Sequence, residues 1–313
     1  MAVAVHWDDV EGRRQTVGHL DGTWYDLGTA AGSRDIGVSR IRVEPGKWST
    51  PAHVEHGEEE IFYVLAGSGL SWQAEDPEAP FTCQVGPGDC LVHVAMEQLH
   101  TLRAGDEGLD VLAFGQRAYG PGASLMRARV AWLGAGWATI AEPPRPWERE
   151  AAAGEPDLPA ATSQRPATVV NAADVDPVSR AGATVERERR DLGTAAGSVR
   201  TGLKLLRVPD GKLGAAPHCH SAEEEIFVVL KGEGTLVLGD DEHPIRAGHV
   251  ISRLPATGVA HTIRGGPGGI TYLAYGTREP NDICYYPRSG KVFLRGVGVI
   301  GRIEPLDYWD GED

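Results

Sequence analysis

The fold is decided by one stretch of the sequence, APHCHSAEEEIFVVLKGEG at residues 216–234. In an extended segment alternate side chains share a face, so His218 and His220 point the same way and Cys219 points the other way. In the strand EIFVVL, the same alternation places Glu225 on one face with every second apolar side chain. The pattern therefore predicts two imidazoles and a carboxylate that approach each other on one face of a sheet.

A third histidine, His261, ends the later stretch AGHVISRLPATGVAH and begins the strand HTI. If the shared face is the inside of a barrel, a carboxylate there is costly unless it is paired, and a divalent cation is a suitable partner. We therefore predict a metal site formed by His218, His220, Glu225 and His261. Three imidazoles and one carboxylate suit Mn, Fe, Co, Ni, Cu or Zn, and leave positions for water or substrate.

The chain repeats itself at an offset of 165 residues. DLGTAAGS occurs at residues 26–33 and again at 191–198, and EEEIFYVLAGSG at 58–69 aligns without a gap with EEEIFVVLKGEG at 223–234. Over residues 26–69, 23 of 44 positions are identical in the second copy. A long repeat of this kind indicates two copies of one domain.

Short β-branched and aromatic runs separated by Gly, Pro and Asp predict an all-β fold of barrel or sandwich type in each copy. No long helical pattern is present, which argues against alternating strands and helices. The segment between the copies is rich in Pro, Ala and charge and predicts an extended linker rather than a packed element. The predicted units are an N-terminal domain (1–140), a linker (141–167) and a C-terminal domain (168–313).

Net charge, apolar runs and cysteine content limit the classes of ligand and the cellular location that we expect. A formal net charge of −14 opposes a polyanionic partner, so nucleic acid is excluded as an expected ligand. The N-terminus turns acidic by its eighth residue and has no apolar core for a signal peptide, and no apolar run is long enough to cross a bilayer. Four scattered cysteines do not form a disulfide framework. We expect a cytoplasmic protein without membrane contact that acts on a small molecule.

The first copy departs from the second at one ligand position. His53, Glu60 and His100 match His218, Glu225 and His261, but Glu55 takes the place of His220, and the nearby imidazole is His56. Either a β-bulge turns His56 inward, or Glu55 itself is a ligand. We therefore predict a second metal site with the following residues: His53, His56, Glu60 and His100. A site with two carboxylates would favour Mn or Fe.

These motifs resemble those of the cupin superfamily, which read His, any residue, His, three or four residues, Glu, then a Gly-rich turn and a third His. The resemblance covers nearly the whole chain and implies a bicupin, with two tandem jelly-roll barrels of the double-stranded β-helix type. It places several glycines of the second copy in turns: Gly232, Gly234, Gly248 and Gly258. The glycines of DLGTAAGS lack the context of a nucleotide-binding fingerprint and are also assigned to turns.

The resemblance implies a metal-dependent enzyme with one or two divalent transition metals, namely Fe, Mn, Ni, Cu or Zn. The expected activity is that of a dioxygenase-like oxidoreductase acting on a small organic acid, an enol or an aromatic compound. The alternatives are an Mn-dependent decarboxylase, a sugar isomerase, and a non-catalytic bicupin of the binding or storage type. If the protein is a dioxygenase or a decarboxylase, a free carboxylate, Glu224 or Glu59, would move protons. Bicupins also imply a homodimer.

Overall fold

The computed structural model of the protein describes residues 4–76, 79–117, 122–132, 137–138 and 145–312. Nearly all regular structure in this part of the chain is β-strand, which confirms the predicted all-β class. The helices are short: α1 (Leu27–Ala30), α2 (Pro146–Ala152) and α3 (Leu192–Ala195), with single 3₁₀ turns at Trp7–Asp9, Pro287–Ser289 and Arg295–Val297.

The first half of the chain supplies twelve strands, most of which form one eight-stranded and one four-stranded sheet. They are β1 (Val5–His6), β2 (Arg13–Val17), β3 (Leu20–Asp26), β4 (Ile36–Val43), β5 (Val54–Glu55), β6 (Glu60–Ala74), β7 (Phe81–Val85), β8 (Asp89–His93), β9 (Leu99–Gln116), β10 (Ala123–Leu125), β11 (Val130–Trp132) and β12 (Trp137–Ala138). The small sheet has the order β12-β11-β10-β5.

The second half repeats this arrangement with twelve more strands. They are β13 (Val169–Asn171), β14 (Val178–Arg180), β15 (Arg187–Asp191), β16 (Thr201–Val208), β17 (Cys219–His220), β18 (Glu225–Leu238), β19 (Asp241–Arg246), β20 (His249–Arg253), β21 (His261–Thr277), β22 (Ile283–Tyr286), β23 (Lys291–Leu294) and β24 (Val299–Arg302). Its small sheet has the order β17-β22-β23-β24. Two jelly-roll barrels therefore lie in tandem, as predicted.

Each barrel has its own interior, and the two barrels share a further core between them. In β18, Phe227 points into the barrel and packs in a cluster with Tyr272, whereas Ile226 and Val228 belong to a cluster that contains Ile61 of the first barrel. Both faces of this strand are therefore buried. This explains why its sequence is a continuous apolar run rather than an alternating one.

The two barrels also exchange edge strands. β1, at the start of the chain, pairs with β20 of the second barrel, with Val5 opposite Val250. β13, which opens the second half, pairs with β8 of the first barrel, with Val169 opposite Leu91. Each exchange covers an edge that would otherwise expose unpaired backbone groups. The predicted boundary at residue 140 lies outside the described residues.

The prediction of an unpacked linker is wrong for the described residues between the barrels. Within them, α2 places Trp147 edge-on against Trp24, with ring centroids 5.4 Å apart. Further along, Glu155 accepts a hydrogen bond from the Trp48 indole at 3.2 Å, and the Asp157 carbonyl accepts one from Trp72 at 2.8 Å. A segment poor in apolar periodicity can still pack when its acceptors satisfy buried indole donors.

Gly248 lies in the turn between β19 and β20, as predicted, but some of the other glycines assigned to turns lie in strands or helices. Gly232 lies within β18, at a register shift in its pairing with β21, and has a φ of +78°. A Cβ on Gly232 would lie 2.1 Å from the Gly269 carbonyl oxygen, so the close passage of the two strands requires glycine. In the DLGTAAGS copies, Gly28 and Gly193 lie in α1 and α3, whose first turns are capped by the carboxylates of Asp26 and Asp191. Gly32 and Gly197 lie in the turns that follow these helices, as predicted.

Candidate metal centres

Four side chains predicted from the second copy converge inside the C-terminal barrel. The Nε2 atom of His261 lies 2.8 Å from Oε2 of Glu225, and Nε2 of His220 lies 3.4 Å from the same oxygen. One ligand atom from each of His218, Glu225 and His261 falls within 4.8 Å of the others. The structure therefore brings together all four residues that the spacing predicted.

Strand geometry places these side chains. The backbones of His218 and His261 exchange hydrogen bonds across an isolated bridge, so their rings lie side by side with centroids 4.6 Å apart. His220 follows on β17, two residues later, and Glu225 begins β18. Cys219, between the histidines, is buried and is not among the described groups whose atoms could share a metal ion. This agrees with the alternation of side chains along an extended strand.

The orientation of the imidazoles fits a metal ion. His218 directs Nδ1 to the Ala216 carbonyl at 2.8 Å, and His220 directs Nδ1 to Asp282 at 2.7 Å. Both rings thereby leave Nε2 for the centre of the cluster. The Nε2 atom of His220 is buried and has no hydrogen-bond partner among the described residues. Such an orphaned atom, aimed at a carboxylate, is what a bound cation would satisfy.

The buried carboxylates of the cluster favour a positive charge close to them. Burial alone would raise the pKa of Glu225, but the adjacent imidazoles of His220 and His261 hold it well below its usual range. Burial would lower the pKa of His220, but Asp282 and Glu225 raise it to about 11. Burial lowers the pKa of His218 to about 4, so this imidazole is neutral and available as a ligand. A divalent cation would take the place of the proton that the carboxylates otherwise draw onto His220.

Several residues that contact the outer side of this cluster were not predicted from the sequence. Asp282 is buried and, besides His220, accepts the backbone N–H groups of Ala222 and Glu223 at 3.0 and 3.1 Å. Arg295 pairs closely with the Glu223 carboxylate. Cys284, on β22, places its thiol within 4.8 Å of ligand atoms of His218 and His220. All come from the region after the barrel strands, and no spacing rule connects them to the histidines.

We expect Asp282→Asn to weaken metal binding by about 10- to 100-fold, because the carboxylate fixes the tautomer and the orientation of His220. An asparagine oxygen can still accept the two backbone N–H groups, so the fold should survive. Competition with a chromogenic chelator measures the affinity. Asp240→Asn, at an exposed position of the same domain, serves as the control. Equal affinities for the two variants would show that Asp282 has no such role.

A related cluster lies in the N-terminal barrel. Nε2 of His100 is 2.8 Å from Oε2 of Glu60, and Nε2 of His53 is 3.4 Å from the same oxygen. His53, Glu60 and His100 together place ligand atoms within 4.8 Å of one another. Glu55 lies 3.5 Å from Nε2 of His53. The arrangement repeats that of the second barrel, with a carboxylate in the position of the second imidazole.

The prediction of His56 as a ligand is wrong for the geometry observed. Its Nε2 atom lies 2.8 Å from the hydroxyl of Ser124, and it is not among the described groups that could share an ion. β5 pairs regularly with β10, with Val54 opposite Ser124, so no bulge turns His56 inward. Of the two alternatives left open by the sequence, Glu55 is the one with a contact to the cluster, at 3.5 Å from Nε2 of His53.

The N-terminal cluster is more acidic than the C-terminal one. Burial and the nearby Glu60 raise the pKa of Glu55 to about 7, and the same causes raise the pKa of Glu58 to about 9. Burial would lower the pKa of His53, but Glu60 and Glu55 raise it to about 9. Crowded carboxylates beside imidazoles form an oxygen-rich set that suits a hard cation such as Mn(II).

Glu59 and Glu224, the two free carboxylates expected to move protons, do not face the interior of either barrel. Glu59 is fully buried and accepts hydrogen bonds from the second half of the chain, including the Val199 N–H at 2.8 Å. Glu224 does the same for the first half, accepting the N–H groups of Arg34 and Asp35 at 2.9 and 2.6 Å. Each lies one residue before a candidate ligand, so strand alternation turns it outward, toward the neighbouring barrel.

A cavity of about 400 Å³ gives access to the C-terminal cluster. Its walls contain the four candidate ligands together with apolar and aromatic side chains such as Phe227, Tyr272 and Tyr286. A smaller cavity of about 290 Å³ reaches His53 and Glu60 in the first barrel. The first of these volumes lies within the usual range of small-molecule sites, and the second lies at its lower limit.

Two β-barrels in tandem, each with a histidine and glutamate cluster on its inner wall, define a double jelly-roll protein with candidate metal centres. A sequence profile of the cupin domain matches the chain twice, at residues 39–114 and 204–264. The chain is therefore a bicupin, a member of the cupin superfamily with two cupin domains. No curated protein matches it significantly in sequence.

Solved structures with a similar architecture include oxalate decarboxylases. The enzyme from Lactobacillus farciminis, in its formate complex, has a TM-score of 0.61 and 15% identity over 90% of this chain and 88% of that chain. The enzyme from Bacillus subtilis at pH 4.6 has a TM-score of 0.59 and 14% identity, covering 88% of this chain and 75% of that one. A further structure of the Bacillus subtilis enzyme concerns its Mn(II) centres. At these identities the likeness shows the fold.

From the sequence we predicted that no apolar run is long enough to cross a bilayer. Among the residues that the structure describes, no helix is long and apolar enough to cross a bilayer.

Proposed function

We propose that this bicupin is a metal-dependent enzyme that decarboxylates a small organic acid at the C-terminal centre. The observation that carries the proposal is the convergence of three imidazoles and one carboxylate on the wall of a cavity of about 400 Å³. The structural neighbours are decarboxylases, one of which is described by its Mn(II) centres, and they support this reaction better than the dioxygenase expected from the sequence.

The ligands proposed for the C-terminal metal are His218, His220, Glu225 and His261, which the structure brings together. When bound, a divalent cation would bind oxygen atoms of the acid and draw electron density from them. The overall change is the loss of carbon dioxide: the bond to the carboxylate carbon breaks, its electron pair stays on the substrate carbon, and a proton is added there.

The protein's own groups position and shield the reactants. Asp282 accepts Nδ1–H of His220 and fixes the ring. Phe227 and Tyr272 line the cavity below the cluster and limit the access of water. Besides the ligand Glu225, the carboxylate on the cavity wall among the described residues is Glu223, and Arg295 neutralises it. The cavity therefore adds little negative charge to repel an acidic substrate.

For the N-terminal centre we propose a second divalent cation held by His53, Glu60 and His100, with Glu55 as the fourth ligand. The support for the first three is their mutual distances, and the support for Glu55 is its distance of 3.5 Å from Nε2 of His53. The acidic surroundings favour Mn(II) over softer ions. With both centres filled, the protein would hold two ions per chain.

The test of the function begins with elemental analysis of the purified protein and reconstitution with Mn(II) or Fe(II). A panel of small organic acids is then assayed for released carbon dioxide while an oxygen electrode records dioxygen uptake. A decarboxylase releases carbon dioxide without consuming dioxygen in proportion. Uptake of one dioxygen per turnover would instead identify the dioxygenase, and a sugar isomerase would give neither signal. A protein that holds no metal would refute the proposal.

A further inference from the structure

One wall of the C-terminal cavity is strongly basic. The strands β14, β15 and β16 lie side by side, and their inward faces carry four cations, which we call the basic wall: Arg180, Arg187, Arg189 and Lys204. Arg180 is directly opposite Arg187 in the pairing of β14 with β15. The same cavity contains the candidate metal ligands, so the basic wall and the metal centre face one common space.

The cations of the basic wall are not neutralised by the protein. Among the described residues, Arg180, Arg189 and Lys204 form no ion pair within 4.0 Å, and Nε of Arg189 is buried without a hydrogen-bond partner. Arg187 donates to the Gly214 carbonyl, a neutral acceptor, at 2.7 Å. Burial lowers the pKa of Arg187, and the neighbouring Arg189 and Arg180 lower it further. In a chain with a net charge of −14, this local concentration of positive charge opposes stability.

The acidic residues in and next to β15 do not neutralise the positive charge of the basic wall. Glu188 alternates with the arginines along β15 and Glu186 lies just before the strand, so the alternation of an extended chain turns both to the other side of the sheet. There, Glu186 pairs with Lys212 at 3.2 Å, and Glu188 pairs with Arg190 at 3.0 Å. Asp191, at the end of β15, shares the face of the arginines and lies opposite Lys204 in the strand pairing. Its carboxylate accepts the Thr194 N–H at the start of α3 and forms no ion pair within 4.0 Å among the described residues.

The first barrel shows that the fold does not need these cations. At the offset of 165 residues, the positions of the basic wall are occupied in the first copy by neutral residues: Gln15, Gly22, Trp24 and Ser39. Gln15 is opposite Gly22 in the strand pairing, as Arg180 is opposite Arg187, so the equivalence holds in the structure. Two barrels with the same architecture therefore differ here by four positive charges. This difference in charge indicates that the C-terminal cavity binds a ligand that the N-terminal cavity does not bind.

We propose that the substrate of the C-terminal centre is an organic polyanion, with one acid group at the metal and a second, separate anionic group on Arg189 and Lys204. This inference rests on the proposed function and specifies its substrate class. Guanidinium and ammonium groups in a partly enclosed cavity form strong, charge-assisted hydrogen bonds with carboxylate or phosphate oxygens. The bound polyanion also relieves the repulsion within the basic wall. A monocarboxylic acid would leave most of these charges unpaired.

Calorimetric titration of the Mn(II)-loaded protein with compounds of increasing charge tests the inference. The probes are butyrate with one anionic group, glutarate with two carboxylates, tricarballylate with three, and 3-phosphonopropionate with a carboxylate and a phosphonate. We expect glutarate or a more highly charged probe to bind at least about tenfold more tightly than butyrate. Comparison of glutarate with 3-phosphonopropionate shows whether the second group is better recognised as a carboxylate or as a phosphonate.

The variant that removes two of the four cations of the basic wall is Arg189→Gln with Lys204→Ser, which introduces at residue 204 the serine that the first barrel has at this position. We expect it to lose the preference for polyanions while keeping its metal content and its affinity for butyrate. Arg207→Gln, on the exposed outer face of β16, removes one positive charge outside the cavity and should retain the preference. An unchanged preference in the double variant, or no preference in the wild type, would overturn the inference.

The same titrations on metal-stripped protein separate this inference from the proposed function. Polyanion binding that depends on Arg189 and Lys204 but is followed by no carbon dioxide release would preserve the inference and refute the decarboxylase. Release of carbon dioxide from monocarboxylic acids at rates unaffected by the double variant would preserve the decarboxylase and refute the polyanion.

Discussion

Replacement of His261 by alanine is expected to lower the metal content by one ion per chain and to abolish decarboxylation. The imidazole supplies one of four proposed ligands, and when no ion is bound its Nε2 atom donates to Glu225 at 2.8 Å. Its loss leaves a buried carboxylate with weaker pairing at the point where the cation would bind. A ligand present at 1,000 times its dissociation constant stabilises the folded protein by about 4 kcal/mol, and this contribution should vanish from the second barrel.

The measurement combines elemental analysis with thermal unfolding in the presence of Mn(II) and of a chelator. With the chelator, wild type and His261→Ala should differ only by the lost hydrogen bond. With Mn(II), the gap between them should widen. His243→Ala, which removes a histidine of the same domain outside the cluster, should behave as the wild type. An His261→Ala protein with an undiminished metal content would show that these ligands do not hold the ion.

The part of this centre that could be predicted from the sequence depends on local geometry alone. Alternation along a strand placed His218 and His220 together and turned Cys219 away, and the structure shows both. The same rule put Glu225 on the inner face of β18 with Phe227. These predictions hold because the period of a β-strand does not depend on what surrounds it.

Supporting residues were not predictable in this way. Asp282 lies 62 positions beyond His220, and nothing in the intervening sequence fixes its distance from the imidazole. It reaches the ring because β22 pairs with β17, with Cys284 opposite His220. Pairings between distant strands depend on the whole fold, so a carboxylate or thiol brought in by them leaves no local signal.

The acidic triplets at residues 58–60 and 223–225 show the same limit. In sequence, three adjacent glutamates indicate a solvent-exposed turn with a spare carboxylate. In the structure, the middle residue of each triplet is buried between the barrels, and the last faces a candidate metal centre. The distinction requires knowing that the outer face of the strand is covered by a second barrel. The repeat predicted that second barrel, but its position against the first was not predicted.

Replacement of Glu59 by alanine is expected to destabilise the protein by roughly 3–5 kcal/mol, because it leaves several buried donors without an acceptor. One oxygen of Glu59 accepts the Ser198 hydroxyl at 2.8 Å and the Thr201 hydroxyl at 2.5 Å. The other accepts the Val199 N–H at 2.8 Å. These donors lie in the opposite barrel, in the loop that follows α3 and at the first residue of β16.

Glu224 makes the reciprocal contact, so the two barrels hold each other through equivalent residues. Its carboxylate accepts the backbone N–H groups of Arg34, Asp35 and Ile36 and the hydroxyl of Ser252. We expect Glu224→Ala to have a comparable effect, and the double variant to uncouple the barrels. Unfolding in denaturant would then change from one transition to two, because the domains no longer unfold as one cooperative unit.

Asp106→Ala, which removes an exposed carboxylate of the first barrel, controls for the loss of a charge alone and should leave the transition in place. Glu59→Gln retains the shape and one acceptor oxygen but turns an amide donor toward groups that also donate. We therefore expect it to remain well below the wild type in stability. If Glu59→Ala and Glu224→Ala unfold at the wild-type denaturant concentration, the carboxylates do not join the barrels, and the shared apolar core around Ile61 and Ile226 must do so unaided.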